Sequence, residues 1–196
     1  MVSKRRSFNR PLGNRRYKKI FIVAVEGSKT EPQYFSILNG ISSVVKVLKF
    51  AHSSPLHVLQ GMKNYIKKMP LLKTDQAWLV MDKDQWTDQQ LGQLFAWSKE
   101  SDCYGFAVSN PSFEYWLLLH FEDGNEIGSK RDCLNRLKRY LPHYEKQLEQ
   151  YLITIVMVNK AIKRAELRDK PPCIDWPRSS GNTTVYRLIE RILSSK

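Results

Sequence analysis

Gln76-Ala-Trp-Leu-Val-Met-Asp-Lys-Asp-Gln-Trp86 is an apolar run that stops abruptly at two carboxylates, Asp82 and Asp84. Four to eight apolar residues with a polar edge is the pattern of a strand buried on both faces of a sheet. Side chains alternate between the faces of a strand. An extended chain through residue 84 would therefore point both aspartates the same way, with Lys83 opposite. Two carboxylates at the end of a core strand are costly unless something positive sits between them, and a divalent metal is the obvious candidate. In open α/β sheets the crevice at the carboxyl ends of the strands is where ligands bind.

Upstream, Ile20-Phe-Ile-Val-Ala-Val25 is a second uninterrupted, β-branched run that ends in a carboxylate, Glu26, followed by Gly27. Ser28 or Thr30 can cap the helix that follows, with Pro32 tolerated in its first turn. Residues 44–50 read as another strand, and Ser53-Ser54-Pro55 opens a helix to about residue 69. Downstream, Thr87 caps a helix through about residue 100. Residues 103–108 form a fourth strand. Asn110 then reads as a helix cap, with Pro111 at the first helical position and helix from 113 to 121. Strand and helix thus alternate over residues 20–125, which predicts a mostly parallel, four-stranded sheet with helices on both faces. From 126 on, the periodicity is helical, over 129–141, 143–168 and 183–195, with a Pro- and Gly-rich loop between the last two. The expected organisation is a basic arm (1–19), an α/β domain (20–125) and a helical C-terminal lobe (126–196) packed on it.

The balance of charge is lopsided: 32 Lys+Arg against 19 Asp+Glu gives +13. That favours a polyanionic partner, nucleic acid before an anionic membrane. The arm holds Arg5, Arg6, Arg15 and Arg16 among its cations, and reads either as a solvated tail or as a clamp on phosphates. Cys103, Cys133 and Cys173 are odd in number and widely spaced, which indicates neither a zinc site nor a disulfide framework and suits a reduced, cytoplasmic setting. No apolar run reaches the ~20 residues that a bilayer span needs, and the early run at 20–25 is too short for a signal segment. No membrane partner is expected. No Gly-x-x-x-x-Gly-Lys loop occurs.

If the strands ending at Glu26 and at Asp82 and Asp84 are neighbours, three carboxylates converge at one edge. Such a set suits Mg²⁺ or Mn²⁺, which take a few hard oxygen ligands and complete their shell with water and substrate phosphate. Each carboxylate alone reads equally well as a cap or turn former. Glu114 stands either as a charge favourable to a helix dipole or as a fourth site carboxylate. Glu31 reads as a cap of its own helix before a residue near the site, and His120 as a packed histidine before a ligand. Lys29 and Lys83 flank the carboxylates and suit phosphate oxygens. Lys160, Arg164 and Arg168 share a helical face at i, i+4 and i+8, either solvated or a second phosphate-binding wall.

With Glu26-Gly-Ser-Lys-Thr-Glu-Pro-Gln-Tyr-Phe35, Asp82-Lys-Asp84 and Asn110-Pro-Ser-Phe-Glu-Tyr-Trp-Leu-Leu-Leu-His120, the chain resembles the RloB-like family. The likeness continues through Ala161-Ile-Lys-Arg-Ala165 and Asn182-Thr-Thr-Val-Tyr-Arg-Leu-Ile-Glu190 and so covers nearly the whole chain. One departure is Thr183, where the family often has proline. The resemblance implies a Toprim-type, three-layer catalytic domain, an association with anti-phage and abortive-infection loci, and Mg²⁺ held for nucleic-acid cleavage by Glu26, Asp82 and Asp84. The expected function is a metal-dependent endonuclease, either active by itself or held silent until a partner protein or phage trigger releases it. The alternative is a nucleic-acid-binding or partner-sensing module with a vestigial site. DNA versus RNA, and monomer versus homo-oligomer, stay open.

Overall fold

The computed structural model describes residues 18–145, 148 and 152–195. Arg5, Arg6, Arg15 and Arg16 of the basic arm lie outside the described residues. Five strands, β1 (Ile20–Val25), β2 (Val44–Leu48), β3 (Gln76–Asp82), β4 (Tyr104–Asn110) and β5 (Asn182–Thr183), form one sheet in the order β2-β1-β3-β4-β5. The first four pair in parallel and β5 runs antiparallel to β4. The expected count of four is therefore corrected to five. A two-residue strand inside a Pro- and Gly-rich loop carries no periodicity, and only its pairing to β4 makes it a strand.

The described residues form seven helices, α1 (Thr30–Leu38), α2 (Pro55–Lys68), α3 (Asp88–Ser98), α4 (Phe113–Leu118), α5 (Lys130–Tyr140), α6 (Ile155–Arg168) and α7 (Val185–Leu193). From β1 the chain steps outward to β2, then returns past β1 to β3. Successive right-handed crossovers in opposite directions place their helices on opposite faces. Accordingly α1 packs on one face, through Tyr34, Phe35 and Leu38. On the other lie α2 and α3, through Val58, Met62, Leu91 and Leu94. The crevice between the carboxyl ends of β1 and β3 is thus the topological switch point, the preferred ligand position of such sheets.

β1, and β3 from Ala77 to Met81, are apolar because both of their faces are covered. Gly105 on β4 leaves room for the Trp78 indole: a Cβ there would lie 2.3 Å from the ring. Residues after 126 share the core on the α1 face, where Cys133, Leu137, Val158, Leu188 and Ile192 pack with Phe21, Val23 and Trp116. All six residues of α4 are buried. Each large apolar side chain there contributes roughly 1.5–3 kcal/mol of burial, so this short helix is held rigidly.

Three local expectations change. Asn110 is the last residue of β4 and not a helix cap: its side-chain amide donates to the Pro177 and Arg178 carbonyls at 3.1 Å each, and Ser112 takes the cap position. Helix α4 stops at Leu118, short of 121. The expected helix over 143–168 begins only at Ile155, where the Thr154 hydroxyl accepts the Met157 N–H. Residues 146, 147 and 149–151 of that stretch lie outside the described residues. No described helix is long and apolar enough to cross a membrane.

Candidate active site

At the switch point the strand ends open into a cleft of about 460 Å³, lined by Glu26, Lys29, Glu31, Asp82, Glu114, Lys130 and Glu145 among others. The β1–β3 register sets Val25 beside Val80, so Glu26 and Asp82 leave neighbouring strands at nearly the same level. The Glu26 carboxylate bridges to β3, accepting the Asp82 backbone N–H through Oε2 and the Trp86 indole N–H through Oε1, both at 3.1 Å. Asp82 Oδ1 accepts the Phe113 N–H at 2.8 Å, tying the end of β3 to the start of α4. Glu31 is buried and accepts the Gly27 N–H at 2.8 Å. This bond holds the turn ahead of α1, whose cap position is Lys29, and is not the helix cap expected of Glu31; the same carboxylate stands against Glu26 and Asp82 electrostatically. A Cβ at Gly27 would come within 2.1 Å of the Glu31 carboxylate, so a larger residue here would displace that carboxylate.

Glu114, also buried, accepts the Ser112 hydroxyl at 2.6 Å and the Tyr144 hydroxyl at 3.2 Å. It is therefore a member of the cleft as well as a first-turn acid of α4. Burial is the main cause that drives the Glu26 carboxyl up to about 7, against the pull of its two N–H partners. Burial also raises Asp82 well above the usual carboxylate range, helped by the charges of Glu31, Glu26 and Glu114. A site in which three neighbouring acids raise one carboxyl electrostatically is short of positive charge.

Among the described residues the cation that pairs with Asp82 is Lys130, at the start of α5. Its Nζ lies 2.5 Å from Asp84 Oδ2 and 4.0 Å from Asp82 Oδ2. Burial alone would lower its pKa. The hydrogen bond to Asp84 and the charges of Asp82, Asp84 and Glu114 outweigh that and hold it above the usual lysine value. The positive charge that the Asp82–Asp84 pair requires is thus supplied in part by the chain itself. Sequence reasoning missed Lys130 because it sits 46 residues from Asp84, in a stretch that reads as an ordinary solvated helix start. The faint signal was Ser129 before an acid at 132, a helix cap that fixes where the lysine begins.

Strand β3 ends at Asp82, so Asp84 does not share its face by strand alternation. The Asp84 N–H bonds the Pro111 carbonyl, its carboxylate takes Lys130, and it is absent from the cleft lining. Among the described residues no three His, Cys, Asp or Glu side chains come together closely enough to hold a metal ion. The expected Glu26–Asp82–Asp84 ligand set is therefore not assembled.

The expected phosphate contacts divide. Lys29 is exposed at the cleft. Lys83 is committed elsewhere, donating to the Trp86 carbonyl at 2.8 Å and pairing with Asp88 at 3.2 Å. On α6, Lys160 is exposed, but Arg164 binds Asp123 and the Leu119 carbonyl, and Arg168 binds the Gly181 carbonyl and Asn125. That face fastens loops together. His120 is buried, donates from Nδ1 to the Trp116 carbonyl and accepts the Tyr34 hydroxyl at Nε2. Its pKa is lowered to about 4, chiefly by burial.

A larger cleft, about 1140 Å³, opens at the opposite, amino edge of the sheet, lined by Lys18, Lys19, Lys73, Asp75 and Arg191 among others. Its walls gather no set of strand-end carboxylates. A family model described as RloB-like protein matches residues 21–192. No curated protein and no solved structure matches.

Proposed function

The chain belongs to the RloB-like protein family, and on that premise we propose that it is a Toprim-type, Mg²⁺- or Mn²⁺-dependent nuclease acting in bacterial anti-phage defence. The observation that carries this reading is the gathering of Glu26, Glu31, Asp82 and Glu114 in one cleft at the switch point of the sheet, with Lys29 and Lys130 at the same cleft. The donor chemistry fits a hard divalent ion. Mg²⁺ commonly takes only one or two protein carboxylates and leaves its other positions to water and phosphate. Asp82 and Glu26 would hold it. Once bound, the ion would supply a nucleophilic water and offset charge on the phosphodiester.

The chain's own groups do the rest. Glu114, oriented by the Ser112 and Tyr144 hydroxyls, is placed to accept a proton from water. Lys29 and Lys130 orient phosphate oxygens, and Asp84 positions Lys130. One observation favours the other reading, a binding or partner-sensing module with a vestigial site: the described residues hold no ready-made three-donor metal group.

The two readings separate in one experiment. Labelled DNA and RNA are incubated with the protein in Mg²⁺, in Mn²⁺ and in EDTA, with and without lysate from phage-infected cells as a source of trigger. A nuclease cleaves in metal and not in EDTA, and Asp82→Ala lowers the rate at least ~100-fold, since a lost ligand removes several kcal/mol of transition-state stabilisation. Tight binding with no turnover on any substrate under any condition would assign the module instead.

A further inference from the structure

The carboxylate cleft does not end at Lys130. Lys130 and Glu145 also line a second cleft of about 530 Å³, whose other walls are Arg131, Leu134, Asn135, Lys138 and Tyr144. The two clefts therefore meet along the first turn of α5. Cys133 and Leu137 point into the core, four residues apart, so Arg131, Asn135 and Lys138 form an outward stripe at i, i+4 and i+7. None of the ion pairs among the described residues involves Arg131 or Lys138. By contrast Arg136, on the flank, is tied to Glu122 and the Asn125 carbonyl.

We propose that the phosphate backbone of a nucleic acid runs along α5, held by Arg131 and Lys138, and enters the carboxylate cleft at Lys130. This rests on the nucleic-acid reading above and adds the track and the residues that form it. From Lys130 to Lys138 the helix rises about 12 Å at 1.5 Å per residue. One strand of a nucleic acid advances ~3.4 Å per phosphate, so the stripe spans roughly three to four nucleotides. Glu145 is an acid that lines both clefts. It stands between the two clefts and discourages the backbone from sliding across rather than along the helix. The α6 arginines first expected to hold phosphate are fastened to loops, whereas the α5 cations face solvent.

The test is fluorescence polarisation in EDTA, with fluorescein-labelled 20-mers of single-stranded DNA, single-stranded RNA and their duplexes. The Arg131→Glu/Lys138→Glu variant should weaken binding at least tenfold and reduce the salt slope, log Kd against log[salt], by about 2, one for each lost phosphate contact. Asn135→Arg adds a cation to the same stripe and should tighten binding. Lys160→Glu/Lys163→Glu on exposed α6 positions should change Kd less than twofold. The α5 residues are exposed, so circular dichroism of the charge-reversed protein should match the parent. Parent-like affinity and slope in the α5 variants would overturn the track while the parent's cleavage left the nuclease reading standing. A parent that binds no 20-mer at low salt would overturn both.

Discussion

Strand β3 carries an aspartate at each end, and the two have opposite characters. Asp75, just before the strand, is buried, and both of its oxygens are used: Oδ1 accepts the Ile20 N–H and Oδ2 the Leu72 N–H, each at 3.1 Å. It fastens the start of β1 to the turn that leads into β3. Asp82, at the other end, accepts one backbone N–H, has the Lys130 Nζ 4.0 Å away, and lies against Glu26, Glu31 and Glu114. The residue type is the same and Asp82 is only somewhat more exposed; the company differs. A carboxylate whose oxygens are both met by backbone donors is doing structural work. One that other acids push toward protonation is held in place for another purpose. The size of the adjoining cleft does not make this distinction, since the larger one lies at the Asp75 end.

The strongest way to sharpen this contrast is through Glu26, beside Asp82. Its carboxyl sits at about 7 in the folded chain against a usual 4.5, mainly because burial disfavours the charge. Between those values the folded state binds more protons than the unfolded, so stability falls as pH rises from about 4.5 to about 7, and the loss is complete above that. Glu26→Gln removes this dependence. Urea denaturation should show the variant gaining on the parent across that window, by up to about 3 kcal/mol at pH 8. A parent–variant difference that does not change with pH would contradict the crowding at this end.

The two aspartates themselves come next, measured by the same method. Asp75→Ala leaves two backbone N–H groups without partners and should cost about 2 kcal/mol. Asp82→Asn keeps an acceptor for the Phe113 N–H and removes a repelled charge, so stability should hold or rise by up to ~1 kcal/mol. Equal destabilisation by both would break the comparison. The smallest effect belongs to Lys83, which follows Asp82 but pairs with exposed Asp88. Lys83→Ala should change stability by less than ~0.5 kcal/mol and cleavage less than twofold, because an exposed pair contributes little.

Much of this was legible in the sequence because central strands of a parallel sheet declare themselves. Residues 20–25 and 77–81 are apolar without interruption, and the strands they form run over 20–25 and 76–82. Alternation with helices then sufficed for the α/β class and for expecting Glu26 near Asp82. What escaped was set by tertiary contact. Asn110 before a proline has the local chemistry of a cap, yet carbonyls 67 and 68 residues away claim its amide. Arg164 and Arg168 have the spacing of a phosphate wall, yet Asp123, Asn125 and Gly181 come to meet them. Lys130 is marked locally only by the Ser129 cap that starts its helix, and the fold alone brings it to Asp84.

The antiparallel pairing of β5 bears on the order in which the cleft is completed as the chain is made. The Ser109 hydroxyl meets that of Thr183 across 74 residues, and the Val108 N–H meets the Thr184 hydroxyl across 76. At ~5–20 residues per second, a ribosome needs roughly 4–15 s to make that interval. Glu26 and Asp82 can already be side by side on paired parallel strands during this time. The end of β4, which leads directly into the helix bearing Glu114, has no edge partner until β5 emerges. The strand-borne acids are in place early, and the wall that carries Glu114 is the last to set.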